Sequence, residues 1–309
     1  MSSAKIAVLV LKALGLTVLY AALMTVGTSL FPIPGIKEAF TPEEQQRAGL
    51  ALLAVGAIDT LVLGAIAWAT RARGFRLYAA MVPIFWGVKT FTSQIEAVWF
   101  MPNVTGAMFP MLLGMTVPLC LVFPAALMAA LGRWKRDPAL EPAWRAPAMS
   151  RAERALKVGL LAAIVYPVLF FAFGYFVAWQ SQALRDFYGG AVSGGVVAHF
   201  SALFARDPLV WPFEAARGLL WIAFALPVLR TVRGPAWLGP VLVGLLFCFV
   251  QNDVHLMPNP LMGPEVRLFH FVETGSSNFL WALAIGWLLG RSHARRASPA
   301  SGESAAAAG

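Results

Sequence analysis

Apolar tracts of about 20 residues, the length that crosses a lipid bilayer as a helix, recur along the whole of this 309-residue sequence. They fall at 6–30, 48–70, 77–100, 108–131, 158–179, 213–229, 237–256 and 266–290. No stretch between them is long enough to build a sizeable soluble domain. Residues are 59% hydrophobic and only 13% charged, where a soluble domain carries roughly a quarter charged residues. The chain therefore reads as an all-α polytopic integral membrane protein of eight transmembrane helices, with the lipid bilayer as its solvent and partner.

The net charge of +9 is best read as topology. With alternate connections assigned to alternate sides, 16 of the 24 Lys and Arg residues share the side of the N-terminus. Six lie opposite, Arg217 and Arg267 counted among them. This bias predicts both termini in the cytoplasm and a multi-pass protein of the cell inner (plasma) membrane. No separate basic domain is available for nucleic acid, which is not expected as a partner. Lys5 precedes an apolar run longer than the roughly 7–15-residue core of a signal peptide, and no Ala-x-Ala site follows, so a retained first helix is expected. Cys120 and Cys248 lie within spans and read as packing residues rather than a disulfide.

Two weakly similar halves, 1–132 and 158–290, flank a basic cytoplasmic linker at 133–157, and a tail at 291–309 lacks the apolar residues to pack and is expected to be disordered. Gln94-Ile95-Glu96 runs into Phe100-Met101-Pro102-Asn103, while Gln251-Asn252-Asp253 runs into Leu256-Met257-Pro258-Asn259. Four spans per half is an even number, so the halves would form a tandem parallel repeat, with the third and seventh segments facing each other. The second half carries a long external loop at 180–212. In it Val196, Phe200, Leu203 and Phe204 fall on one helical face, as in a segment lying along the outer surface.

Ionisable groups within apolar spans are costly and mark functional sites. Gln94, Glu96, Gln251, Asn252, Asp253, His255, His270 and Glu273 fall near the outer ends of three segments and form the candidate ligand-binding set. Lys89, Thr92, Ser93 and Glu96 follow three- and four-residue steps, as do Arg267, His270, Glu273, Thr274 and Ser277, so each set lies on one helical stripe. A lipid-facing stripe of that chemistry would be expensive, which turns both toward the interior. Lys89 and Glu96 are too far apart to meet on one helix, and each is expected to pair with another segment. Asp59, midway along the second segment, either extends a polar route inward or is a lone hydrogen-bonded carboxyl group.

The leading expectation is an outward-facing polar cavity that binds, and in one version transports, a small polar or lipid-linked ligand. In it Glu96, Asp253 and Glu273 would carry ligand charge or protons. An intramembrane metal-dependent enzyme of hydrolase type is the alternative. His255, His270 and Glu273 would hold a divalent metal, zinc or iron, with Glu96 or Asp253 as candidate catalytic base on bound water. The third expectation is a non-catalytic structural membrane protein whose polar groups hold helices together.

Overall fold

The computed structural model describes residues 2–36, 38–101, 104–135, 149–190 and 195–290. Among these the chain is helical throughout, without strands. The elements are α1 (Ser3–Leu30), α2 (Pro42–Ala69), α3 (Gly74–Trp86), α4 (Thr92–Phe100), α5 (Phe109–Gly114), α6 (Val117–Ala130), α7 (Arg151–Leu160), α8 (Tyr166–Phe176), α9 (Gln182–Phe187), α10 (Val196–Arg206), α11 (Val210–Thr231), α12 (Leu238–Leu245) and α13 (Pro264–Leu289). Single π-helical turns at Gly87–Phe91, Leu161–Val165 and Leu246–Val250 carry α3 into α4, α7 into α8, and α12 onward to a 3-10 turn at Asp253–Leu256.

Five helices, at Ser3–Leu30, Pro42–Ala69, Phe109–Ala130, Arg151–Gln180 and Val210–Thr231, are long and apolar enough to cross a membrane. The segment Gly74–Phe100 and α13 are comparable in length but carry Lys89, Glu96, His270 and Glu273. The apolar helix Leu238–Val250 is shorter. The eight-span expectation thus rests on three further segments, two loaded with interior polar groups and one short. Outward faces are strongly apolar: Leu11, Leu50, Leu61, Trp68 and Phe75 are each about two-thirds exposed. Water would penalise such a surface, whereas acyl chains would not.

A proline near a π turn removes an amide donor from the helical ladder, and at Pro167 the freed carbonyl finds a partner elsewhere. Pro167 cannot bond the carbonyl of Ala163, which accepts from the Trp211 indole at 2.9 Å. At the end of α5 the Leu113 carbonyl accepts from the Trp86 indole at 3.2 Å, beside the break between α5 and α6. At α2 the start is set by Thr41, whose hydroxyl accepts from the Glu44 amide while the Glu44 carboxylate accepts from the Thr41 amide, with Pro42 as the first helical residue.

One end of the bundle is stitched by backbone bonds between segments far apart in sequence. The Arg71 amide donates to Thr231 O and the Arg233 amide to Ala69 O, both at 2.8 Å, and the Gly74 amide donates to Arg133 O at 2.9 Å. Arg133, only 3% exposed, donates through its guanidinium to the carbonyls of Trp68 and Thr70 at the end of α2. Lys12, inside the first apolar tract, reaches the Ala130 carbonyl at the end of α6, at 2.7 Å. A cation is favoured at such a helix C-terminus. Arg71, Arg73, Arg76, Arg133, Arg230 and Arg233 thus collect at one basic end. Arg133→Met is expected to lower stability by about 1.5–3 kcal/mol, the usual range for a charged hydrogen bond, read as a lower unfolding midpoint in detergent. An unchanged midpoint would show that the stitch does not need its guanidinium.

The long connection at 180–212 contains α9 and α10. The face predicted for α10 is the one that packs: Phe200 and Phe204 meet Phe171 edge-on at 5.9 and 5.4 Å, and His199 lies 5.1 Å from both Tyr175 and Trp179. The end of the basic linker is also structured, since Arg151–Lys157 belong to α7, capped by Ser150. The rest of the linker at 136–148, Pro102 and Asn103 of the first Met-Pro-Asn run, and the tail at 291–309 lie outside the described residues.

The helices before residue 131 and those after residue 151 meet along a seam. The π turn Gly87–Phe91 touches the π turn Leu246–Val250, α2 touches Leu246–Val250 and α12, and α11 touches α3 and α4. Gly87 allows this close approach, because a Cβ there would fall 2.2 Å from the Phe224 ring.

Candidate functional site

The seam is where the ionisable side chains lie. Asp59 on α2 and Lys89 in the π turn sit about 15–22 Å along their helices from the basic end, at about 1.5 Å per residue. Lys89 Nζ is 3.3 Å from Asp59 Oδ2 and forms a closer ion pair with Asp253, which follows the Leu246–Val250 turn. The Tyr20 hydroxyl on α1 donates to Asp59 Oδ2 at 2.9 Å, and its ring centre lies 5.4 Å from the Lys89 ammonium. The side chains of Asp59, Lys89 and Asp253 are 0%, 6% and 4% exposed. Asp59 Oδ1 is buried with no hydrogen-bond partner among the described residues.

A second network spans the same seam nearer the opposite end. Arg217 on α11 donates through one Nη to both oxygens of Glu214, at 2.9 and 2.7 Å, and through the other to Glu96 on α4. Its guanidinium lies 5.7–6.0 Å from the ring centres of Tyr166, Phe170 and Phe213. Glu214 is fully buried and Arg217 nearly so, while Glu96 is 21% exposed. Glu273 on α13 lies within electrostatic range of Glu96 and Arg217. Its Oε2 is 3.4 Å from His270 Nδ1, and His270 Nε2 is 2.9 Å from the Tyr188 hydroxyl.

Amides and hydroxyls run between the two networks. Gln251 donates to Ser93 Oγ and accepts from Asn278, each at 3.2 Å. Asn252 donates to the Phe271 carbonyl at 2.8 Å and accepts from the Thr274 hydroxyl. Six of the eight candidate residues, Glu96, Gln251, Asn252, Asp253, His270 and Glu273, thus lie in one polar seam. His255 borders it, stacked on His270 at 5.4 Å with ring planes 20° apart. Gln94 is half-buried on α4, outside both ion networks.

Both stripes face inward as their spacing implies, and Lys89 and Glu96 each pair with another segment. Asp59 is not a lone carboxyl group but shares the Lys89 ammonium with Asp253. Arg217, a residue of the outer flank on sequence grounds, instead lies inside α11 at the centre of the second network. Sequence reasoning does not single out Glu214 or Tyr20. For Glu214 the available signal is its three-residue spacing from Arg217, because on a helix that spacing places both charges on one face.

Among the described residues, no three His, Cys, Asp or Glu side chains converge as metal ligands. His255 and His270 stack on each other, and both His270 nitrogens face protein groups. The zinc or iron expectation gains no support from this arrangement. A small cavity of about 80 Å³ opens at the basic end, lined by Met149, Arg154, Val158, Leu226, Arg230 and Leu289 among others, away from both networks. No protein-family model matches the sequence, and no curated protein or solved structure matches it.

Chemically, each network sets two carboxylates on one cation: Asp59 and Asp253 on Lys89, Glu214 and Glu96 on Arg217. In a low-dielectric interior the surplus negative charge is costly unless a proton or a cationic group joins it.

Proposed function

We propose that this chain is an inner-membrane protein of eight transmembrane helices in two parallel four-helix halves, with the basic end and both termini in the cytoplasm. It binds and translocates a small polar ligand, free or lipid-linked, between the halves. The observation that carries this reading is that both buried ion networks bridge the halves, each with a carboxylate in surplus. Adhesion alone would be served at lower desolvation cost by neutral amides and hydroxyls. Glu96, the most exposed of the acids in these ion pairs that join the halves, is the point of entry from the outer side. Glu273 and His270 supply further charge and hydrogen bonds, while Gln251 and Asn252 orient the ligand. In support of the repeat, the third and seventh segments each carry a π turn shortly before their Gln-x-acid triplet.

The test is flux in sealed vesicles containing the purified chain, with a panel of labelled small amines, amino acids, sugars and headgroup alcohols. Uptake of at least one probe is expected, falling at least tenfold in Glu96→Gln and Glu273→Gln with folding preserved. If no probe moves, or if both variants carry it at the native rate, the networks hold helices together and nothing more.

A further inference from the structure

Asp59 has an arrangement that ligand binding at the outer network does not use. Both protein donors that reach it, the Tyr20 hydroxyl at 2.9 Å and the Lys89 ammonium at 3.3 Å, act on Oδ2. Oδ1 is buried with no hydrogen-bond partner among the described residues, in a side chain that is 0% exposed. The other ionisable groups around this carboxyl group are Asp253, held more closely by Lys89 and within side-chain hydrogen-bond reach of Asp59 and Tyr20, and the Cys120 thiol from α6. Two carboxylates and one ammonium leave the cluster one negative charge in surplus, deep in an apolar bundle.

We propose that Asp59 is a proton-binding site, with Lys89 setting its occupancy by pairing with either Asp59 or Asp253. While Lys89 sits on Asp253, as in this structure, Asp59 carries a proton on Oδ1 and the cluster is neutral. When Lys89 moves to Asp59, that proton leaves as H⁺ and the Asp253 carboxylate takes one up, so charge balances with no redox partner. A proton is favoured over a metal cation because the Lys89 ammonium already occupies the space beside Oδ2 and would repel a second positive ion. The Tyr20 hydroxyl fixes which oxygen is free. Lys89 and Asp253 sit in and just after π turns, whose widened backbone is frequent at functional positions.

This inference does not depend on solute transport, and its test reads the carboxyl group directly. Infrared spectra of the full chain in lipid at neutral pH should contain a protonated-carboxyl C=O band that shifts on exchange into D2O. Asp59→Asn should abolish that component. Asp253→Asn should abolish it too, because Lys89 then has only Asp59 to neutralise. Lys89→Met should increase it, and Glu96→Gln should leave it in place. Tyr20→Phe keeps every carboxyl group of the cluster and should shift the band by removing a hydrogen bond to Asp59. That shift places the proton in this cluster even if Asp59→Asn fails to fold. A band untouched by Asp59→Asn and unshifted by Tyr20→Phe would place the proton elsewhere and overturn the proposal. So would the absence of the band together with sodium- or potassium-dependent changes in tryptophan fluorescence, since a metal cation would then be the occupant.

Discussion

Lys89→Met is expected to cost about 3–5 kcal/mol of stability, because removing one partner of a buried ion pair strands the charge that remains. Here Asp253 loses the cation that neutralises it, while Asp59, protonated in this arrangement, adds no second stranded charge. Unfolding of the purified protein in mild detergent, followed by tryptophan fluorescence, measures the loss. The deficit should shrink as pH falls, since protonating a stranded carboxylate removes its charge, and should grow as pH rises. Neutralising the acids as well, in Lys89→Met/Asp59→Asn/Asp253→Asn, should recover most of the stability, because the cost comes from unpaired charge rather than lost packing. If the triple variant is no more stable than the single one, the ammonium stem matters through its packing and the electrostatic account fails.

Arg217→Met should be comparably severe, again about 3–5 kcal/mol, since Glu214 is fully buried and depends on the Arg217 fork for both of its oxygens. Arg217→Lys keeps the charge but loses the planar fork that serves two carboxylates, so it should recover only part of that loss. Glu96→Gln is expected to cost less than about 1 kcal/mol, because Glu96 is partly exposed and Arg217 keeps Glu214. The ordering Arg217→Met, Arg217→Lys, Glu96→Gln is the discriminating result. Equal losses for all three would mean that burial is not what sets the energetics of the outer network. The small loss at Glu96→Gln also makes it the cleaner variant for flux, since a functional defect there would not be a folding defect.

Spacing makes part of this legible. Three- and four-residue steps put Lys89, Ser93 and Glu96 on one face, and lipid outside the bundle forces that face inward. What spacing cannot choose is the neighbour. That Lys89 meets Asp59 and Asp253 depends on how α2 and the α12 segment pack against α3 and α4, and on π turns that each rotate the helix beyond them. Arg217 escapes sequence reasoning for a different reason: it lies close to the start of its apolar tract, where a charge resembles a flank, and only its Glu214 partner one turn earlier marks it as interior. His270 and Glu273 have the spacing of a ligand pair, but a metal needs a third donor to converge. Tyr188 packs edge-on against the His270 ring and His255 stacks on it.

The cross-stitches among Ala69, Arg71, Thr231 and Arg233, with Arg133 beside them, tie loops of both halves at a single pole. Main-chain bonds of this kind resist sliding and splaying alike, so a motion that first broke the contacts of Trp99 with Asp207 and Phe213 at the other end would pivot at that pole. Such a parting of the halves has to widen with distance from it, like a pair of tongs. Arg217 and Glu96 would separate furthest, and the Lys89 group, closer to the pivot, would feel the same motion as a small rotation. That is a geometry in which one tilt could reach both charge clusters.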